Sequence, residues 1–303
     1  MKVLFVGLPY FAKRIVRDLN SFSPQHSFLF YDTYTSKIEQ IKFAVTLPFA
    51  DIVVSLNGVS DKSGSLDLTM KLKKKILMHW QGSDVLFAME EAMKENLNKK
   101  YIDYSYNFTD APWMREELNS IGINCGILEY KWLDVDQALV AFQSISAYSY
   151  LAKRKEVFYG WDIIMQLADK HPDIDFFIAG TDGKELDQKK NIHFLGWISQ
   201  EKMAELRTNN PIFLRLPKHD GYSLSVLEAM SSGNEVIWSK HHVQCHHAIN
   251  LSETENAFNK AVNDLKNRNM QRNTNNMLFV KNNLSKEKIL NMFIKRLEEI
   301  VAE

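Results

Sequence analysis

The stretch Ile212–Trp238, IFLRLPKHDGYSLSVLEAMSSGNEVIW, decides the architecture. Ile212 to Leu216 is a short apolar run that reads as a strand and ends at a proline. His219-Asp220-Gly221 is a polar turn, Tyr222 to Ser231 has the apolar spacing of a helix, and Glu235 to Trp238 reads as the next strand. A strand, turn, helix and strand in so few residues is the unit of a parallel, doubly wound sheet.

The same alternation extends outward in both directions. Towards the C-terminus, Ser252 with Glu255 predicts a capping box for a helix through about Leu265, and a last helix runs from Lys286 to Val301. Towards the N-terminus, strands are expected over Ile192–Leu195, Ile174–Ala179 and Ser144–Leu151, with helices over Gln200–Arg207 and Trp161–Lys170. A separate set begins the chain. Its strands are Lys2–Val6, Ser27–Tyr31, Asp51–Leu56, Lys75–Trp80 and Ile102–Phe108, with a helix over Ala12–Leu19. Asp110 is placed to cap a further helix whose first turn holds Pro112. The fold class is therefore α/β, two Rossmann-like halves, with 303 residues matching a prior of roughly 150 per domain.

Lys plus Arg and Asp plus Glu both total 37, so the formal net charge is zero, which argues against a nucleic-acid binder. Cys125 and Cys245 are the two cysteines, too few for a disulfide framework, and point to a reducing compartment, the cytoplasm. The apolar start is interrupted at once by Lys13, Arg14 and Arg17, so neither a signal segment nor a membrane span is expected there. Those three residues share a helix with Phe11 and Ile15, and Lys71, Lys73, Lys74 and Lys75 precede a strand; peripheral contact with the inner face of a membrane stays open.

Asp220 and Glu228 are the candidate functional carboxylates, with seven residues between them. Asp220 sits in a strand-to-helix loop, where open α/β sheets bind ligands. The amides of Gly221, Tyr222, Ser223 and Leu224 lie at a helix start and suit phosphate or sugar hydroxyls. Glu228 is two turns along, between Leu227 and Ala229, and needs a partner such as a ribose diol.

This segment, D-G-Y-S-L-S-V-L-E-A-M-S-S-G, resembles the E-x7-E motif of the family 4 retaining glycosyltransferases, also called glycosyl transferases group 1. FFIAG (Phe176–Gly180), NIHFLGWIS (Asn191–Ser199), HWQGSD (His79–Asp84) and YNFTDAPWMREELNSIGI (Tyr106–Ile123) fall where that family has similar stretches. The resemblance implies a GT-B fold: residues 1–140 an acceptor-side domain, 141–285 a nucleotide-sugar-binding domain, and 286–303 a helix that crosses back to the first. It implies transfer of a sugar from a UDP or GDP donor to an acceptor hydroxyl, with retention and no metal. The acceptor would be a carbohydrate or a lipid-linked one, in glycan or polysaccharide synthesis. A catalytically silent binder of the same fold and a nucleotide-sugar epimerase are the alternatives.

By the same resemblance, Asp220 holds donor-sugar hydroxyls and Glu228 the ribose. Gly7 and Gly180 close the βα turns beside the donor. The family's diphosphate-binding Arg and Lys correspond to the loop Leu151–Gly160, where Lys153, or Arg154 in a shifted register, takes the Arg position and Tyr159 replaces the Lys. His79 is the candidate for orienting the sugar, or else a core histidine. Asp84 is a candidate for the acceptor hydroxyl, or else a helix cap. Trp197 and Ile198 would pack on the nucleobase, or fill the core. The run His241-His242-Val243-Gln244-Cys245-His246-His247 could supply a soft metal site, but no second cluster completes it, and a loop near the sugar or acceptor fits better.

Overall fold

The structure, a computed structural model, describes residues 1–133, 135 and 139–303. The aspartates of the Asp134-Val135-Asp136 segment lie outside the described residues. The chain divides into two compact units, 1–131 with 287–303, and 132–286.

In the first unit the elements are β1 (Lys2–Gly7), α1 (Pro9–Phe22), β2 (Ser27–Phe30), α2 (Lys37–Thr46), β3 (Ile52–Leu56), α3 (Gly64–Lys71), β4 (Lys75–Trp80), α4 (Ser83–Met93), β5 (Tyr106–Thr109), α5 (Pro112–Ser120) and β6 (Cys125–Ile127). The six strands are parallel in the order β2-β1-β3-β4-β5-β6. The central strand β3 is buried at every residue, as a sheet covered on both faces requires.

The second unit contains β7 (Ser146–Tyr150), α6 (Trp161–Lys170), β8 (Asp175–Ala179), β9 (Ile192–Gly196), α7 (Gln200–Asn209), β10 (Ile212–Arg215), α8 (Leu224–Ser231), β11 (Glu235–Trp238), β12 (His246–His247), α9 (Leu251–Asn267) and α10 (Thr274–Asn283). Its six parallel strands run β12-β11-β10-β7-β8-β9. The chain leaves β7 for β8 on one side and later returns to β10 on the other. The loops after β7 and β10 therefore flank the switch point, where such sheets bind ligands. Phe176, Ile178, Ile212, Leu214, Ile237 and Phe258 form the core beneath it. The last helix, α11 (Lys286–Ala302), packs its Phe293 on Phe5 of the first sheet, 6.3 Å between ring centres. Lys75 Nζ donates to the Ile300 carbonyl at 2.7 Å.

Local differences from the sequence reading have physical causes. The fifth strand starts at Tyr106, because Asn107 Nδ2 donates to the carbonyls of Ile102 and Ser105 and closes the preceding residues into a turn. Asp110 does not cap α5; Ala111 holds that position, and the Asp110 carboxylate is buried 2.7 Å from Lys131 Nζ. The capping box of α9 is Asn250 with Glu253, two residues earlier than expected, since the Asn250 side chain accepts from the Glu253 amide. The helices α2, α3 and α10 and the three-residue strand β6 have too weak a pattern to be read from the sequence. Ile15 is buried, so the apolar side of the basic helix α1 faces the core rather than a lipid surface. Among the described residues no helix is long and apolar enough to cross a membrane.

Candidate donor site in the second unit

Arg215 ends β10 and carries its charge into a nearly closed environment. Its Nε and Nη2 donate to the two oxygens of Asp220, at 2.8 and 2.9 Å, a bidentate pair. Trp238 Nε1, at the end of β11, donates to the same carboxylate at 3.1 Å. Burial alone would lower the Arg215 pKa, but the Asp220 carboxylate outweighs it and holds the guanidinium above its ordinary value. Asp220 is thus held in place by its neighbours before any ligand arrives.

The Arg215 guanidinium also lies over the Tyr159 ring, 4.9 Å from its centre. Tyr159 belongs to a short 3-10 turn, Val157–Tyr159, that ends on Gly160 at φ +88°. A β-carbon on Gly160 would stand 2.7 Å from Leu216 Cβ and 2.9 Å from its carbonyl oxygen, so only glycine lets these loops meet. Lys218 N donates to Phe158 O at 2.9 Å and completes the link between the loops after β7 and β10.

Around this pair the switch point is aromatic. Tyr150, at the end of β7, makes edge contacts with Tyr159 and Trp197, at 6.3 and 6.5 Å. Trp197 itself is 82% exposed, a side chain available for stacking rather than a core aromatic. Ile198 is half-buried and lies instead on a separate groove with Phe142, Phe177, Leu195 and Leu206. Gly180 has φ +95°, and a β-carbon there would meet Leu151 O at 2.5 Å.

Lys153 is exposed and reaches the loop after β8, with Nζ 3.2 Å from Asp182 Oδ2; the Lys153 hydrogen bond holds the Asp182 carboxyl below its usual range. Arg154 is exposed, with φ +67°. Below them Glu156 accepts from Thr181 Oγ1 at 2.8 Å.

Helix α8 begins at Leu224, two residues later than the sequence suggests, so Gly221 and Tyr222 belong to the loop. Ser223 is its N-cap, though its hydroxyl pairs with Ser225 Oγ at 3.0 Å instead of an amide. Glu228 is half-buried and faces Arg207 of α7, Nη1 to Oε2 3.3 Å, while Arg207 Nε donates to Ser232 Oγ at 3.1 Å.

The histidine run divides. His242 sits 3.4 Å from Tyr222 Oη and 3.8 Å from Cys245 Sγ, and burial lowers its pKa to about 4. His246 Nε2 contacts Glu235 Oε2 at 2.9 Å. Glu235, His246 and Asp264 bring ligand atoms within 4.8 Å of one another, but Arg268 already sits on the other Glu235 oxygen as the local cation.

In the first unit, His79 and Asp84 are hydrogen-bonded into the scaffold. The His79 ring is buried, its Nε2 2.6 Å from Leu128 O and its Nδ1 2.7 Å from Gln81 Nε2, so both nitrogens are committed. Burial lowers its pKa and favours the neutral ring. Asp84 accepts from the amides of Gly58, Gln81, Gly82 and Val85, tying the loop after β3 to the loop after β4. Gly7 has φ +95° and lies where a β-carbon would meet Asn57 Oδ1 at 2.5 Å; its role is the close approach of two loops. Arg215, Arg207, Trp238 and Tyr150 were not singled out from the sequence. The signal for Arg215 was a charge closing an apolar strand, which requires a buried partner nearby.

Residues 145–270 match the family described as glycosyl transferases group 1. This stretch is a group 1 glycosyltransferase domain. It contains Lys153, Tyr159, Arg215, Asp220 and Glu228. No curated protein matches the chain by sequence. In structure, the chain is similar to sucrose-phosphate synthase from Thermosynechococcus elongatus, with TM-score 0.71 at 10% identity and 100% of each chain covered. It is also similar to a mutant of S. aureus TarM, in complex with fondaparinux, alpha-GlcNAc-glycerol and UDP. There the TM-score is 0.62 at 13% identity, over 88% of this chain and 59% of TarM, so the chain spans little more than half of that relative. UDP-GlcNAc 2-epimerase from Neisseria meningitidis shares the fold at TM-score 0.55 and 11% identity, over 99% of this chain and 100% of that one. The two parallel-sheet units with a returning C-terminal helix are the GT-B fold.

Proposed function

We propose that the protein is a nucleotide-sugar-dependent glycosyltransferase that moves a sugar from a UDP or GDP donor to an acceptor hydroxyl, with retention. The observation that carries this is the Asp220–Glu228 pair, at the switch-point loop and helix of a group 1 domain. The glycosyltransferase domain binds the nucleotide sugar. Glu228 takes the ribose hydroxyls, and the loop amides of Gly221, Tyr222 and Ser223 with the first amide of α8, Leu224, face the sugar and phosphates. Trp197 stacks on the base. Lys153 and Arg154 supply the mobile cations, and Arg215 supplies a fixed one behind Tyr159, the position where the family carries lysine. These charges stabilise the departing diphosphate without a metal ion. The TarM complex with UDP supports a uridine donor. The first unit provides the acceptor side, for a carbohydrate or lipid-linked hydroxyl in glycan or polysaccharide synthesis at the cytoplasmic face.

Calorimetric titration with UDP, GDP and their nucleosides, followed by donor hydrolysis and transfer assays, tests the reading. Diphosphate binding with sugar release is expected, unchanged in excess EDTA. Failure to bind any nucleotide diphosphate would overturn it. A silent donor-binding protein is the second reading, favoured by the committed hydrogen bonds of His79 and Asp84. It predicts binding without turnover.

A further inference from the structure

Glu228 shares its face of α8 with a cation from the neighbouring helix. Arg207 reaches it from α7, with Nη1 3.3 Å from Oε2, while Arg207 Nε donates to Ser232 Oγ at 3.1 Å. Glu228 and Ser232 are four residues apart, so one guanidinium spans two neighbouring positions on a single helix face. The Cα–Cβ bond of Glu228 leans towards the start of α8, on the side of the Gly221–Ser223 loop, whereas Arg207 approaches from the end of the helix.

Arg207 is fixed at its root. Asn234 Nδ2, in the turn after α8, donates to the Arg207 carbonyl at 3.0 Å. Arg272 donates to the carbonyls of Ser232 and Thr208, at 2.7 and 2.9 Å, and so ties the end of α8 to the end of α7. Asn234 and Arg272 are buried, and water does not compete for these bonds. Tyr148, on β7, stands within electrostatic reach of both Arg207 and Glu228. Its ring is stacked on Phe213, 4.7 Å between centres, and its hydroxyl has no hydrogen-bond partner among the described residues. Burial pushes this phenol far above its usual range, so it stays neutral and takes no share of the Arg207 charge.

Resting on the proposal that Glu228 takes the ribose, we infer that Arg207 is its positioning residue: it holds the Glu228 carboxylate in place for the two hydroxyls and so sets a preference for the ribonucleotide over its 2′-deoxy form. A carboxylate offers about four lone-pair sites, so a bond to Arg207 is compatible with two to a ribose diol. A glutamate left to rotate would lose that freedom at the moment of binding, and one already held does not. Arginine suits the place better than lysine, because its planar fork of donors bonds Glu228 and Ser232 at once.

Titration calorimetry on the full chain tests this, with UDP or GDP, whichever the parent binds, and the matching 2′-deoxynucleotide. Arg207→Met should weaken the ribonucleotide roughly tenfold and the deoxynucleotide roughly twofold or less. Arg207→Lys, which keeps the charge without the fork, should recover part of the loss. In a Glu228→Gln background, Arg207→Met should change ribonucleotide affinity by less than about twofold, since the carboxylate it positions is already gone. Melting curves set a temperature at which every variant is folded, and a merely structural role for Arg207 would weaken both nucleotides alike. Equal losses for the two nucleotides, additive losses in the double variant, or tighter binding by Arg207→Met overturns the inference while Glu228→Gln still loses the ribonucleotide. If Glu228→Gln binds as the parent does, or the parent binds neither diphosphate, the donor-site reading itself fails and the role of Arg207 falls with it.

Discussion

Arg215 and Asp220 form a closed pair: two hydrogen bonds of 2.8 and 2.9 Å join side chains that are only 11% and 10% exposed. Four residues of chain separate them, the first half of the loop from β10 to α8. The pair shapes the loop from which the glycosyltransferase domain presents Gly221 and the start of α8. Removing one member strands the other charge in a site that water barely reaches. Arg215→Met is therefore expected to lose about 3–5 kcal/mol of stability. Arg215→Met with Asp220→Asn should recover part of it. Urea unfolding of the three variants checks the coupling; additive losses would show that the ion pair does not organise the loop.

Gly160 gives the same loop junction a steric test. Its left-handed φ of +88° and the 2.7 Å approach to Leu216 Cβ leave no room for a methyl group. Gly160→Ala combines backbone strain with overpacking, each about 1–3 kcal/mol. A drop of about 2–4 kcal/mol in the urea midpoint analysis is expected, with weaker UDP binding. A neutral substitution would mean that the loops after β7 and β10 are not held together there.

Lys153 and Arg154 project into solvent, so their removal should leave the fold intact. Charge-assisted bonds to phosphate contribute about 1.5–3 kcal/mol. Lys153→Ala with Arg154→Ala should thus weaken UDP or GDP by roughly tenfold or more, while uridine or guanosine binding stays as it was. Equal losses for nucleotide and nucleoside would place the loop away from the phosphates.

His242 links the site to pH. Burial lowers its pKa to about 4, while a free imidazole titrates near about 6.5. Below about pH 6.5 the unfolded chain takes up this proton and the folded chain does not, so stability present above that value is lost as pH falls towards about 4. The loss is up to about 3 kcal/mol. His79 acts in the same direction through its buried ring. His242→Phe should show a shallower fall in stability between pH 7 and pH 4.5 than the parent. Parallel curves for both proteins would remove His242 from the acid response.

The sheets were legible because each buried strand announces itself. The strands Lys75–Trp80 and Glu235–Trp238, and the helix Trp161–Lys170 that covers the second sheet, have the bounds that the residue pattern predicts. Helix α2 escaped because its apolar residues lie on opposite sides, Ile38, Ile41 and Val45 on one and the buried Phe43 on the other, so no single apolar face stands out in the sequence. His79 and Asp84 stood out as polar residues ending a strand, yet local backbone groups consume them: the Leu128 carbonyl for one and four amides for the other. Spacing along the chain shows where a side chain starts, not which backbone atoms surround it. The Arg215–Asp220 bond depends on how the loop folds back, and the sequence shows only that a buried charge at the end of an apolar strand needs a partner.

Glu228 carries the sharpest test of the functional reading. From the sequence alone its carboxylate stands among apolar neighbours, and losing the charge should cost the free protein nothing. The structure supplies Arg207 at 3.3 Å, with both side chains partly exposed, at 18% and 23%. Glu228→Gln therefore weakens a real ion pair, and a stability loss of about 1 kcal/mol or less is expected. The nucleotide should suffer more. A carboxylate that accepts both ribose hydroxyls contributes charged hydrogen bonds of about 1.5–3 kcal/mol, and the amide retains a single acceptor oxygen. Affinity for UDP should fall roughly ten- to a hundredfold, and the loss should be equal for uridine, because the ribose is common to both. The 2′-deoxynucleotide should bind parent and variant almost alike, since it lacks one hydroxyl. Titration calorimetry on folded protein measures all three. Unchanged UDP affinity in Glu228→Gln, at an unaltered melting temperature, would detach Glu228 from the ribose and take the donor-site assignment with it.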